Sequence, residues 1–373
     1  MLKLENQIIW EKSKTTDKEY NGKLDFLKDY MLGNYAAALK FGGKISQREK
    51  TNNTDEWKYE DLSTSSSDFN SNSHYELGQF GPTINENAIK DKISGLNPND
   101  DVVADGSIIN DFKSNEDIQA AYVMNTIDID QLRVIAGLRY ENTNFEARGF
   151  EFNDDVITAT KYENDYDHWL PSLHFRYQLA DNAYLRAAWT NSVVRPNFAQ
   201  SAPGVYIDGD EAEFGNPMLK PLESSNFDLG VEKYFGKASM VGFYAFYKDI
   251  DNFIVELTSN DVAEFAGFDV TRPVNALSAS VKGFEFAWQH SFIQPALAGV
   301  LVGANFTLLD TDLAVAERAG ESFSLPESAE RAGNLYLGYE DGKFSTRLSV
   351  SYRDKFLSEV GDDSNYDIYV AAH

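Results

Sequence analysis

The residues able to do chemistry are present, but their spacing argues against catalysis. Cysteine is absent, which excludes thiolate nucleophiles, thiolate metal sites and disulfides. No GxSxG, HExxH or phosphate-loop pattern occurs, and no serine and histidine are spaced as a nucleophile and its base, so an enzyme is not expected. His168 and His174 fall on one face of a single alternating run, where strand rise separates them by about 20 Å, too far to share an ion. Asp208-Gly209-Asp210-Glu211 and Asn153-Asp154-Asp155 group carboxylates as calcium prefers, yet neither has the spacing of a helix-flanked calcium loop. They read as solvated loop acids, and no metal or cofactor is expected. Binding chemistry remains: Tyr206, Phe214, Phe265, Phe268 and Tyr366 stand in polar loops, placed either to stack on a sugar or an aromatic ligand or to pack the loops together.

The elements that must position these groups are strands. In Ser225 to Phe235, Phe227, Leu229 and Val231 face one way, and Asn226, Asp228, Gly230, Glu232 and Tyr234 the other, a period no helix keeps. The same alternation recurs through Leu132 to Tyr140, Trp169 to Leu179, Ala183 to Trp189, Phe284 to Phe292, Val300 to Leu308, Leu335 to Tyr339 and Phe344 to Tyr352. Weaker runs lie before Lys50: one through Leu4, Ile8 and Trp10, one beginning at Leu24 and Phe26, and one through Ala37, Leu39, Phe41 and Ile45. Residues 51–117 keep no period and read as a long acidic loop; further loops are expected around 144–165, 195–221 and 252–279. Short turns, at 127–130, Asp181-Asn182, 235–237 and Asp341-Gly342, alternate with the long connections. All short turns then fall at one end of the sheet and all long loops at the other, as in an outer-membrane barrel. The polar faces hold Arg, Glu, Gln and Ser where a dry core would be apolar, so a wet lumen fits them better.

Composition sets limits. With 33 Lys and Arg against 59 Asp and Glu, the net charge of -26 argues against a nucleic-acid partner, which needs clustered cations. No apolar run is long enough for a transmembrane helix, but a barrel strand crosses in about 9 to 11 alternating residues and escapes that test. Residues 1–20 contain no secretory signal, so an exported protein would need its native start elsewhere.

One ordered set of short segments resembles the barrel signature of TonB-dependent outer-membrane receptors. It runs Arg195-Pro196-Asn197-Phe198, Gly215-Asn216-Pro217, Leu219-Lys220-Pro221, Asn226 to Glu232, Phe246 to Ile254, Val281 to Glu285, and Tyr352-Arg353 with Lys355-Phe356. The resemblance implies an antiparallel transmembrane β-barrel of 22 strands with an N-terminal plug contacted by TonB. About a dozen strands are countable, so the whole of 1–373 is expected to be a partial barrel lacking the plug and the last strands. The implied function is import of a scarce ligand, a ferric siderophore or an oligosaccharide, across the outer membrane of a Gram-negative cell, with membrane lipid, TonB and that small ligand as partners. Under this reading Tyr206, Asp208, Asp210, Phe214, Phe265 and Phe268 are expected in external ligand-admitting loops, and Arg176, Arg186 and Glu285 are expected to face the lumen. Arg195, Pro196, Gly215, Asn216, Pro217, Lys220 and Pro221 are expected to be structural, the prolines bending the loop into the next strand. The alternatives are a plug-less porin or adhesin barrel, and a soluble glycan-binding β protein.

Overall fold

The computed structural model describes residues 8–59, 65–72, 82–96, 107–108, 110–153, 156–208, 211–236, 238–259, 267–361 and 368–371. Two strands of 25 residues open the chain, β1 (Ile8–Leu32) and β2 (Tyr35–Tyr59), paired antiparallel along their whole length. The next connection carries β3 (Asn70–Asn72), β4 (Pro82–Ile84) and helix α1 (Glu86–Ile93). β5 (Phe112–Ile129), β6 (Leu132–Asn153), β7 (Val156–Ala180) and β8 (Ala183–Val194) follow as neighbours. Helix α2 (Phe198–Ser201), β9 (Val205–Asp208) and β10 (Glu211–Phe214) occupy the connection to the hairpin β11 (Leu222–Phe235) and β12 (Ser239–Asp251). β13 (Ile254–Ser259) and β14 (Asp269–Asn275) precede β15 (Ser278–Ser291), β16 (Val300–Ala314), β17 (Arg331–Glu340) and β18 (Ser345–Arg353). β19 (Phe356–Gly361) and β20 (Ile368–Val370) end the described chain.

Twelve strands form one antiparallel sheet in the order β1-β2-β5-β6-β7-β8-β11-β12-β15-β16-β17-β18, open between β1 and β18 among the described residues. Its register explains its two faces. On β6, Leu132, Val134, Ala136, Leu138 and Tyr140 stand opposite Tyr177, Phe175, Leu173, Pro171 and Trp169 of β7. The band continues through Leu185, Ala187 and Trp189 to Val231, Leu229 and Phe227, and on to Phe243, Phe286 and Phe306. Beyond the Tyr140 and Trp169 rings, whose centroids lie 4.8 Å apart, the same face turns polar: Asn142, Asn144, Glu146 and Arg148 oppose Asp167, Asp165, Glu163 and Lys161. Leu132 to Tyr140 has the length of one membrane crossing, and the rings sit where an interfacial girdle belongs. No helix among the described residues is long and apolar enough to cross a membrane.

Each short connection contains a left-handed residue: Gly33, Asp130, Asn182, Gly236, Gly299 and Gly342. Three sequence expectations need correction. The runs read before Lys50 as three strands are two, and the second continues to Tyr59, so the segment expected as loop from 51 to 117 is strand at both ends, through Tyr59 and again from Phe112. The loop expected at 144–165 is mostly the continuation of β6 and β7, paired Asn144↔Asp165 through Asn153↔Val156. The turn expected at 127–130 lies at Asp130-Gln131, between Ile129 and Leu132.

The described parts of the long connections carry regular structure too. Their strands make a second sheet in the order β20-β19-β13-β14-β10-β9, with β10 parallel to β14 and β13 parallel to β19. Under it Ile250, Val255, Leu257, Leu313, Val315, Phe323, Leu325, Leu357 and Val360 form a buried core. Burial of that apolar set, at roughly 25 cal/mol per Å² removed from water, is what holds separate loops in one body.

The inner face of the large sheet is tied by tyrosines laid over glycines. Tyr122 stands opposite Gly42, Gly42 opposite Asp25, and the Tyr122 hydroxyl donates to Asp25 Oδ1 at 2.6 Å. Tyr336, Gly303 and Gln289 repeat the arrangement on β17, β16 and β15, with the hydroxyl donating to Gln289 Oε1 at 2.7 Å. Tyr244 covers Gly230 and donates to Glu232 Oε2 at 2.7 Å. A Cβ at Gly230 or Gly303 would meet the ring at 2.2 or 2.3 Å, so the strap requires glycine there.

Candidate functional site: a polar cavity under the long connections

At the end of β8 the chain leaves the sheet and turns onto its inner face. Pro196 fixes the backbone of the departure. Asn197 caps α2, its Oδ1 accepting from the Gln200 backbone N–H at 2.8 Å, while Gln200 Oε1 accepts from the Asn197 backbone N–H at 3.1 Å. Phe198 is buried against Phe145 and Ala147 of β6, its ring stacked 6.3 Å from Phe145. The Arg48 guanidinium lies 4.8 Å from the centre of the same ring.

Arg195 anchors this turn. Its Nη2 donates to Glu141 Oε2 at 2.6 Å and to Thr143 Oγ1 at 2.8 Å, and Nε lies 4.0 Å from Glu116. Arg48 is held bidentate by Asp17 at 2.6 and 2.9 Å. This cluster sits beyond the Tyr140 and Trp169 rings, outside the apolar band. Arg48 holds the Asp17 carboxyl below its ordinary range, whereas burial raises Glu116 against the pull of Arg195 and Arg48. Burial also pushes the Tyr166 hydroxyl up to about 12, so it stays a neutral donor. His168 stands opposite Glu141, is buried, and has no hydrogen bond at Nδ1.

Two adjoining cavities open around α2. One, of about 450 Å³, is lined by Arg48, Lys50, Glu116, Arg195 and the Pro196–Ala199 turn. The other, of about 260 Å³, is lined by Asn52, Asn110, Asn197, Gln200, Glu213, Phe214 and Glu256, among others. Together they present guanidinium and ammonium donors, amides and carboxylates, the inventory for a polar ligand with both donors and acceptors.

Of the residues expected to be structural, Arg195 and Pro196 line the larger cavity and Gly215 the smaller. Gly215 has no room for a Cβ, which would stand 1.9 Å from the Ala202 carbonyl oxygen. Asn216 Nδ2 donates to the Pro273 carbonyl at 3.1 Å, and Asn275 bonds both the N–H and the carbonyl of Lys220 at 2.8 and 3.0 Å. Pro217 and Pro221 flank this clip, and Leu219 between them is buried.

Of the loop candidates, Phe214 lines the smaller cavity, and Phe268 is half-buried in the turn just before β14. Tyr206 and Asp208 lie in β9, opposite Glu213 and Glu211 of β10. Asp210 and Phe265 lie outside the described residues. Arg176, Arg186 and Glu285 share one inward row, Arg176↔Arg186↔Gly230↔Tyr244↔Glu285, about 30 Å of strand below Arg195. Arg186 is already paired to Glu232 at 2.5 Å, and Arg176 lies 5.4 Å over the Tyr184 ring. The structure therefore does not bring this row to the cavity. Arg48, Lys50, Asn52, Glu116 and Glu141 were not among the sequence candidates. Their only signal is that Arg48, Glu116 and Glu141 fall on the inward parity of strands whose outward parity is apolar.

The sequence profile of the family described as TonB dependent receptor-like, beta-barrel matches residues 4–371. Among solved structures, the ferric-catecholate import receptor Fiu from E. coli K12 is similar over 97% of this chain and 47% of its own, with a TM-score of 0.62 at 14% identity. The ferric citrate transporter FecA is similar over 100% of this chain and 47% of its own, with a TM-score of 0.62 at 15% identity. The siderophore receptor PiuA from Acinetobacter baumannii covers 97% and 49%, with a TM-score of 0.59 at 14% identity. The chain thus spans about half the length of these structures.

Proposed function

The chain belongs to the TonB-dependent receptor family, as part of its β-barrel, and from that premise we propose that it forms the wall and external loops of an outer-membrane receptor importing a ferric siderophore with energy supplied through TonB. Such a protein is a receptor and transporter, not an enzyme. The observation that carries the ligand assignment is the pair of cavities around α2. They open on the inner face beneath the loop sheet, beyond the membrane band, where an arriving ligand is met first. Their amides and cations suit an oxygen-rich chelate, which offers acceptors to Arg48, Lys50, Asn197 and Gln200. The names of the similar receptors, for ferric catecholate, ferric citrate and siderophore, support the same class. An oligosaccharide is the competing ligand, since the same donors bind sugar hydroxyls.

The roles follow from position. Arg195 is a positioning residue, fixing α2 to the barrel wall through Glu141 and Thr143. Asn197 and Gln200 contact the ligand, and Phe214 closes one side of the smaller cavity. Tyr206 and Asp208, on the outer hairpin of the loop sheet, help admit it. The inward row of Arg176, Arg186 and Glu285 lines the lower path.

Radio-iron uptake by iron-starved cells carrying the complete receptor tests this. Ferric citrate and a ferric catecholate are supplied in turn, with and without functional TonB. Uptake of one chelate that requires TonB and weakens several-fold in Lys50→Ala and Gln200→Ala, with receptor abundance unchanged, is expected. Uptake indifferent to TonB, or growth rescued by an oligosaccharide alone, would overturn the assignment.

A further inference from the structure

The polar groups around α2 divide into those the protein has already paired and those left for a ligand. In the larger cavity Arg48 is taken by Asp17, and Arg195 by Glu141 and Thr143, so Lys50 is the cation there without an ion pair among the described residues. In the smaller cavity Asn52 is used in full. Its Oδ1 accepts from the Ser13 and Thr15 hydroxyls, and its Nδ2 donates to the Thr54 hydroxyl and the Asn110 carbonyl. The side chains of Glu213 and Glu256 line the same cavity with no hydrogen bond or ion pair among the described residues.

The register shows why both carboxylates turn this way. Glu256 lies between Val255 and Leu257, which point into the buried core, so its own side chain takes the opposite face of β13. It stands opposite Pro273 of β14, and Glu213 of β10 stands opposite Thr271. Pro273 and Thr271 are two apart on β14 and share a face, and all four residues line the cavity. No Lys or Arg lines it among the described residues, whereas Phe112 and Phe214 do. Two unpaired carboxylates and two aromatic rings, with no cation beside them, are the complement of an ammonium group. An anion placed there would meet only repulsion. The two cavities share Asn197 and Ala199, so a single molecule lying at Lys50 extends past α2 into the acidic one.

We propose that the smaller cavity seats a charged amine arm, and that the ligand is a ferric chelate carrying a free primary ammonium. The chelate oxygens meet Lys50 and α2, and the ammonium lies between Glu213 and Glu256 beside the Phe112 and Phe214 rings. This rests on the iron-chelate reading above and narrows it to one charge class. The net charge of -26 acts in the same sense, drawing a cationic arm toward the protein, and that pull fades as salt is added. Both carboxylates are exposed, so each ion pair contributes at most about fivefold in affinity.

Isothermal titration calorimetry of the complete receptor in detergent tests the proposal. The probes are a ferric catecholate built on lysine with its side-chain amine free, and the same chelate with that amine acetylated. The free amine is expected to bind about tenfold more tightly at low salt, a margin that shrinks as salt is raised. Glu213→Gln combined with Glu256→Gln is expected to remove the margin and to leave the acetylated chelate bound as before. Asp165→Asn combined with Asp167→Asn, which takes the same charge from the outward face, is expected to preserve it, and Lys50→Ala to weaken both forms alike. Equal affinity for the two forms in the wild type, or a margin that survives in the double glutamine variant, would overturn the amine arm and leave the iron-chelate receptor standing. Failure of both catecholates and of ferric citrate to bind would overturn the two readings together.

Discussion

Replacing Arg195 by alanine removes the cation that three inward groups share, and the cost can be worked from the contacts. The guanidinium donates to Glu141 at 2.6 Å and to Thr143 at 2.8 Å, and stands 4.0 Å from Glu116. Its side chain is 17% exposed and that of Glu141 10%, so neither is compensated freely by water. A hydrogen bond to a charged group contributes about 1.5 to 3 kcal/mol, and stripping one partner from a buried pair costs about 3 to 5. Arg139 still bonds Glu141 at 2.6 Å, which offsets part of the loss, and a net destabilisation of about 3 kcal/mol is expected. The loss should depend on pH in a defined sense. Burial has already raised Glu116 above its ordinary 4.5, so the folded state binds its proton more tightly than the unfolded chain, and stability falls as pH rises through that interval. Without Arg195 that carboxyl rises further. The penalty should therefore be full at neutral and alkaline pH and shrink as pH falls toward the ordinary carboxylate value, where a protonated Glu116 needs no cation. Urea unfolding of the complete receptor from lipid vesicles, at pH 8 and pH 5, measures both parts. A penalty below 0.5 kcal/mol at pH 8, or an equal penalty at both, would show that the cluster does not hold the turn.

Three further outcomes are expected. Gly303→Val drives a side chain into the Tyr336 ring and breaks its bond to Gln289, with a loss of about 2 kcal/mol in vesicle unfolding and a smaller effect in Tyr336→Phe; an unchanged midpoint would remove the strap from the account. Leu313→Ala empties a fully buried position under the loop sheet and should cost about 2 to 5 kcal/mol, read as faster hydrogen exchange in β13 and β19 with the β6 and β7 amides unaffected. Asp17→Asn should matter little, under about 1 kcal/mol, because its pair with Arg48 is more than a third exposed; the lowered Asp17 carboxyl stabilises above its ordinary value of 3.8, and that contribution fades as pH falls through it, which an acid titration of wild type against the variant would show.

The strands within the apolar band were legible, because lipid on one side and polar groups on the other write the pleat directly into the sequence. Leu132 to Tyr140 and Ser225 to Phe235 are of this kind. The extensions were not. Past Tyr140 the outward residues become Asn142, Asn144, Glu146 and Arg148, so both faces can be polar and alternation no longer distinguishes strand from loop. A trace survived on the inward parity, in Thr143, Phe145 and Ala147, all of them buried. The first hairpin failed for a related reason: Lys18, Gly22 and Lys28 interrupt the outward row of β1. Of the site, Arg195 and the glycine and proline clip were found through their motif. Arg48, Glu116 and Glu141 come from three different strands, and only pairing register brings them to Arg195, so no local pattern marks them.

The parallel pairings in the loop sheet bear on how its connections can move apart. β10 with β14 and β13 with β19 each join connections that are far apart in the chain, and Asn216 and Asn275 add cross-links between the first two. A loop tied this way cannot swing out alone, since peeling one strand opens the ladder of its neighbour and exposes the shared apolar layer. Under the proposed receptor function, the rate of ligand entry on that side is expected to follow the stability of this sheet as a whole rather than the flexibility of any one loop.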